Sequence, residues 1–224
     1  MNRGTGVRRK FGSLLCCVTV FVLFGCSGQD DPRSGPTDEA TGRVIEDGMP
    51  AADVCDASLS PSAQESLVAL AGDDVFTDRI DTRPPADLDE FVQRVMGPEA
   101  FSERFCQIYT ATHWDNPLLA IEFLWFDEAP TPDASAPSDQ RPYAAGEVAY
   151  YGDGGGVIAF PCSARGAATE EYLSAALSLS ALVVAPDEDQ LMDILNSVSR
   201  AVADGLGCLA ESGLPEGAPE RVAG

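Results

Sequence analysis

Apolar residues recur at helical spacing in three stretches of the chain. In the first, Ser60-Pro61 offers an N-cap followed by proline at the first helical position, Ala63, Leu67, Leu70 and Ala71 form the stripe, and Gly72 stops it. In the second, Leu88, Phe91, Val92, Val95 and Met96 fall at i, i+3, i+4, i+7 and i+8 between Pro84-Pro85 and Gly97-Pro98. The third is longest. Pro186 opens it, Asp187, Glu188 and Asp189 bring negative charge to the positive end of the helix dipole, and Leu191, Ile194, Leu195, Val198, Val202 and Leu206 form its buried face before Gly207-Cys208.

Between the second and third stretches the period changes to two. Arg104 to Thr112 alternates and is rich in β-formers, and Leu118 to Phe126 is apolar on both faces, the pattern of a central strand covered on both sides. The segment His113-Trp114-Asp115-Asn116-Pro117 reads as their turn. Gly146 to Tyr151 and Val157 to Pro161 predict two more strands around a flexible tip at Gly152-Asp153-Gly154-Gly155-Gly156. Within Glu171 to Ala181, leucine and alanine favour helix, yet Leu173, Ala175, Leu177 and Leu179 alternate with Ser174, Ala176, Ser178 and Ser180. That alternation predicts a strand with one wet face. The order of elements predicts an α+β domain: an antiparallel sheet of four to five strands, with two N-terminal helices and one long C-terminal helix packed on one face. Residues 127–142 and 210–224, rich in Pro, Gly, Ala and acid, read as a loop and a loose tail.

The N-terminal segment has a different character. Arg3, Arg8, Arg9 and Lys10 precede the apolar run Phe11 to Phe24, which suits a signal peptide and is shorter than the ~20 residues needed to span a bilayer. The run ends in Leu23-Phe24-Gly25-Cys26, which resembles a bacterial lipobox. The resemblance implies cleavage before Cys26 and acylation of that cysteine, with residues 1–25 removed. Each buried methylene of such chains contributes ~0.8 kcal/mol to membrane binding. Residues 26–52 then form a polar, acidic tether, with a reach of roughly 25–30 Å for a flexible chain. The folded domain spans 53–209. These features place the protein on the extracytoplasmic face of a cell membrane, held there by its lipid.

Charge narrows the partners. The chain carries 14 basic and 36 acidic residues; four of the bases and none of the acids precede Cys26, leaving 10 against 36 and a formal charge of −26. Phosphate recognition depends on lysine and arginine, so nucleic acid is excluded as a partner. The same charge repels anionic lipid headgroups and leaves attachment to the acyl chains.

Seven cysteines are present, and removing Cys16, Cys17 and Cys26 leaves Cys55, Cys106, Cys162 and Cys208. An even number in an exported chain reads as two disulfides with three possible connectivities. Cys55–Cys106 and Cys162–Cys208 are favoured because each joins neighbouring elements. No C-x-x-C spacing supports zinc, and a single histidine gives no His-rich centre, so no metal or cofactor is expected.

Candidate chemistry is sparse. His113, beside Trp114 in a turn, is the only imidazole available to a catalytic triad, and no G-x-S-x-G surrounds a serine. The GDGGG segment lacks the Lys-Ser/Thr of a phosphate loop. Glu122 lies inside an apolar strand; buried without a partner it would be a candidate acid, whereas Arg104 on the adjacent strand would neutralise it. Trp114, Trp125, Tyr143, Tyr150 and Tyr151 fall near strand ends and loops. Gathered on one groove, such rings would bind a sugar, peptide or apolar ligand; otherwise they complete the core.

Together, the lipobox, the tether, Val54-Cys55-Asp56 and Phe160-Pro161-Cys162 resemble the small secreted lipoproteins of actinobacteria, an association that carries over no active-site residue. The reading favoured is a binding domain for a small ligand or an envelope protein, with Trp114, Trp125, Tyr150, Tyr151 and Glu122 as candidate contacts and no catalytic residue assigned. A carboxylate-dependent hydrolase and a structural envelope component are the alternatives.

Overall fold

The structure, a computed structural model, describes residues 48–78, 85–97, 102–128, 140–152, 154–164, 171–180, 183 and 186–223. The expected signal segment, most of the expected tether and residues 129–139 of the expected loop lie outside these. Helical segments are α1 (Val54–Ala57), α2 (Pro61–Ala71), α3 (Leu88–Val95) and α4 (Glu188–Gly205). The strands are β1 (Ser102–Ile108), β2 (Leu119–Phe126), β3 (Arg141–Ala144), β4 (Val148–Gly152), β5 (Gly155–Pro161), β6 (Tyr172–Leu179) and β7 (Glu220–Arg221). They form one antiparallel sheet in the order β1-β2-β6-β5-β4-β3-β7. The class is α+β as expected. The sheet has seven strands rather than four to five, because short β3 and β7 pair along one edge.

Helix ends follow their capping residues. Ser60 Oγ accepts from Ala63 N–H, Pro61 begins α2, and Gly72 ends it at φ 62°. Asp87 caps α3 through Glu90 N–H, and Asp187, rather than Pro186, caps α4 through Asp189 and Gln190 N–H. Both α3 and α4 lie on one face of the sheet. Phe91 of α3 meets Phe105 and Phe123, and Met192 and Leu195 of α4 sit over Gly156 of β5. A Cβ at Gly156 would fall 2.8 Å from Met192 Sδ, which is why this strand position is glycine.

Rather than lying beside them on the sheet, α2 packs on the far side of α4. This outer layer explains why α4 buries polar residues. Ser62 and Ser66 donate to the Asp193 carboxylate at 3.2 and 3.1 Å, while Ser197 Oγ accepts from Ser60 N–H and donates to Ser58 O. An apolar-stripe reading places these residues in water; with partners supplied by α2 they are buried at modest cost.

Under the helices the core is continuous. Ile121, Phe123, Ile158, Phe160, Leu173, Ala175 and Leu177 all point to the helix side and are almost wholly inaccessible. Each larger member contributes about 1.5–3 kcal/mol of burial. On β1 the alternation breaks at a bulge between Arg104 and Cys106. The extra residue lets Phe105 and Cys106 both be buried, the first against Phe91 and the second in a disulfide.

Both favoured disulfides are present: Cys55–Cys106, with Cα atoms 5.4 Å apart, and Cys162–Cys208, at 5.1 Å. The first ties α1 to β1. Cys55, Asp56 and Ala57 of α1 are left-handed, with φ of 53°, 54° and 54°. Non-glycine residues resist this region by about 1–2 kcal/mol each. Contacts besides the disulfide hold the turn: Cys55 N–H to Asp78 Oδ2, Leu88 N–H to Asp56 Oδ2, and both Ser58 N–H and Ser58 Oγ–H to Cys55 O.

Contacts of the fold reach before the expected boundary at Asp53, since Met49 and Phe76 exchange backbone hydrogen bonds of 2.8 and 2.9 Å. They also extend past its expected end. The segment expected to be a loose tail is held down: Asn196 donates to Pro215 O and Gly217 O, Arg200 donates to Leu214 O, and Arg221 and Glu220 pair with Tyr143 and Ala144 on β3.

Candidate functional site

Strand parity divides β6 between two environments. Leu173, Ala175 and Leu177 enter the core, so Ser174, Ala176 and Ser178 face the other side of the sheet. Following the register across the sheet gives one row on that second face: Arg104, Glu122, Ala176, Val157, Tyr150 and Pro142, each directly opposite the next. A parallel row runs Gln107, Ala120, Ser178, Gly155 and Gly152. The middle of the face is therefore floored by alanine, serine, glycine and valine. Along these two rows larger side chains stand only toward the ends, with a charged pair of residues over β1–β2 and a phenol over β4, while the adjoining rows carry Leu124, Phe126 and Tyr172.

Small residues in the middle leave a hollow. It measures about 320 Å³ and is lined by Gln140, Tyr150, Gly155, Val157, Ala176 and Ser178, among others. Its walls offer a ring face, a hydroxyl and an amide beside apolar carbon. Such a surface suits a flat group with a polar edge, stacked on Tyr150 and hydrogen-bonded at the rim. A close backbone approach shapes the floor, since a Cβ at Gly155 would meet Leu177 O at 2.4 Å.

Of the five residues expected to contact a ligand, Tyr150 and Glu122 share this face. Trp125 and Tyr151 have the opposite parity and point to the helices; Trp125 Nε1–H donates to Val95 O at 2.9 Å, and Tyr151 is buried. Trp114 lies in the β1–β2 connection and belongs to neither strand row. The rings thus do not gather into one groove. Glu122 is exposed, so the premise of a buried, unpaired acid is corrected; its register partner is Arg104, as anticipated. Similarly, β2 is not covered on both sides along its length, because Leu124 and Phe126 on the second face are only half-buried. His113 closes its turn: Thr110 Oγ1 accepts from His113 N–H at 3.2 Å and lies 3.1 Å from Nδ1.

Ala176, Val157, Ser178 and Gln140 were not singled out from the sequence. The signal existed for two of them, in the serine and alanine positions alternating through 173–180; the others depend on register with β5 and on the return of the chain at β3.

A second polar group lies where α4 begins. Tyr143 donates to Asp189 Oδ1, Arg221 reaches the same oxygen and Glu188, and Arg141 also pairs with Glu188. Burial, followed by the Asp189 hydrogen bond, pushes the Tyr143 phenol up to about 12. The Tyr143 hydrogen bond is in turn the chief cause holding Asp189 below the usual carboxylate range. These contacts secure β7 and the helix start, and leave no group of the cluster pointing into the hollow.

Among the described residues no three of His, Cys, Asp and Glu converge as metal ligands, and no helix is long and apolar enough to cross a membrane. No family model, curated protein or solved structure matches this chain.

Proposed function

We propose that this chain is a lipid-anchored extracytoplasmic binding protein whose domain receives a small ligand on the second face of its sheet. The anchor reading rests on Leu23-Phe24-Gly25-Cys26 and the polar tether behind it. Two disulfides are consistent with an oxidising compartment. The observation that carries the binding reading is the row Arg104, Glu122, Ala176, Val157, Tyr150, in which small central residues separate a charged end from an aromatic one. A ligand with one flat face fits between them, stacking on the ring while its polar substituents reach Ser178 and Gln140.

Two experiments test the two halves. In a host that processes lipoproteins, the parent chain partitions with membranes and its N-terminal peptide carries acyl mass on Cys26, while Cys26→Ala does neither. Recovery of an intact, unacylated N-terminus from the native source sinks the anchor. For the face, saturation-transfer NMR with a panel of oligosaccharides and aromatic amides detects contact with the Tyr150 ring. Ala176→Phe, which fills the hollow without entering the core, abolishes it. Ligand contacts that survive this substitution sink the binding site.

A further inference from the structure

The polar side chains on the hollow over β4–β6, those of Gln140, Tyr150 and Ser178, differ from the polar side chains between α2 and α4. Ser58, Ser60, Ser62, Ser66 and Ser197 are all hydrogen-bonded within the fold. Among the described residues no hydrogen bond or ion pair reaches the side chains of Gln140, Tyr150, Ser178 or Glu122. Tyr150 and Glu122 lie on one row, separated by Val157 and Ala176. At about 4.8 Å per strand they stand roughly 14 Å apart over a low floor.

This set of groups selects among ligands. A phenol, a hydroxyl and an amide can each donate and accept, and a carboxylate accepts, which together match a ligand edged with hydroxyls. No charged side chain is among the described residues lining the hollow. The neighbouring stretches of sequence, 129–139 and 153, hold Asp133, Asp139 and Asp153 and no base. An anionic ligand therefore finds no countercharge short of Arg104, which lies beyond Glu122. A peptide fits poorly as well. Both β5 and β6 are paired on each side, so the floor offers no open strand edge for a main chain to join. Ser178 is exposed, so the outer side of a bound ligand stays in water. A pyranose ring meets these conditions, with a C–H face for the floor and the phenol and hydroxyls around its edge.

We infer that the face takes a neutral oligosaccharide lying across the strands, with one ring in the hollow and a later ring reaching Glu122. This rests on the reading that the face binds a ligand at all, and narrows it to one class. Gln140 and Ser178 hold hydroxyls of the first ring beside Tyr150. Glu122 accepts from a hydroxyl further along, and its charge turns away sugar acids. At about 320 Å³ the hollow is near the lower end for a ligand site, so further contact is made along the row outside it.

The test titrates the isotopically labelled full chain with maltotetraose, cellotetraose, mannotetraose, glucose, tetragalacturonate and benzamide. Amide shifts at Tyr150, Val157, Ala176 and Ser178 are expected to saturate with at least one neutral tetrasaccharide. Glucose, which lacks the later rings, is expected to bind about tenfold more weakly, and tetragalacturonate weaker still. Ser178→Ala weakens the neutral sugar by about threefold to tenfold. Glu122→Gln narrows the preference for neutral over acidic sugar by about threefold or more. Both side chains are exposed, so both variants keep the fold. Benzamide shifting these residues while no tetrasaccharide does overturns the sugar assignment and leaves the binding face standing. No response to any probe removes both. Tetragalacturonate binding as tightly as the best neutral sugar, or an affinity untouched by Ser178→Ala, also overturns the inference.

Discussion

The phenol of Tyr143 on β3 and the carboxylate of Asp189 in the first turn of α4 are joined by a hydrogen bond of 2.6 Å, 46 positions apart in the chain. The contact couples the sheet edge to the helix start, and Arg221, 2.8 Å from the same oxygen, brings in the C-terminal strand.

Tyr143→Phe is expected to lower stability by about 1 kcal/mol, since Asp189 is exposed enough to regain water. The folded chain holds the Tyr143 proton more tightly than the unfolded chain does. That contribution is complete below the ordinary phenol value of 10.0 and is lost as pH rises through about 12. Alkaline absorbance titration is the check: burial raises the Tyr151 phenol as well, so two tyrosines of the parent ionise late, and the variant loses one of those two steps. A parent with no late step contradicts the assignment.

Asp193 gives the opposite kind of test. Burial raises its carboxyl more than the Ser66 and Ser62 hydroxyls lower it. The folded chain therefore binds this proton more tightly, and the contribution of Asp193 to stability grows as pH falls from neutrality toward 3.8. Asp193→Asn removes the buried charge and retains an acceptor and a donor for the two serines. Urea denaturation is expected to show the variant level with or about 1 kcal/mol above the parent at pH 7, with its relative standing falling on acidification. A difference that does not vary with pH refutes this.

Ala57 is an alanine at φ 54° with an exposed side chain. Ala57→Gly relieves about 1–2 kcal/mol of left-handed strain and adds about 0.4–1 kcal/mol of unfolded-chain freedom. A net gain of roughly 0.5–1 kcal/mol is expected, visible as a rise in Tm; a loss means that the methyl group packs usefully.

Replacing Cys162 and Cys208 together by alanine opens a loop whose ends are 46 residues apart. On the chain-entropy model the loss is ~4 kcal/mol, comparable with the whole stability of a marginal domain. Denaturant midpoints measured with and without reductant on the parent should bracket the variant.

Local signals carried most of the elements. Alternation from Leu173 to Ser178 outweighed the helical propensity of leucine and alanine, because a strand between two neighbours needs one face for each environment. Ser60-Pro61 and Gly72 delimited α2 through their own backbone preferences. The pairings of the cysteines also followed from which elements adjoin. The missed features all depend on distant chain. Arg141–Ala144 follows a Pro- and Asp-rich run and contains Pro142, so only pairing with β4 and β7 makes it a strand. Asp193 and Ser197 are buried by α2, more than 120 positions away, and no stripe along α4 announces that. The bulge at Phe105 shifts the parity of β1, which hid that Phe105 and Cys106 are both interior. The candidate face was half legible: Tyr150 and Glu122 were in view, but the small residues between them acquire meaning only through register.

Cys55 stands six residues after Met49, and its sulfur is bonded to β1. Mechanical load arriving from the N-terminal side can peel away the short Met49–Phe76 bridge and little more before it meets a covalent stop. Beyond that stop the force is shared among strands of the sheet, so a pulled molecule extends by a few residues and then resists as a unit.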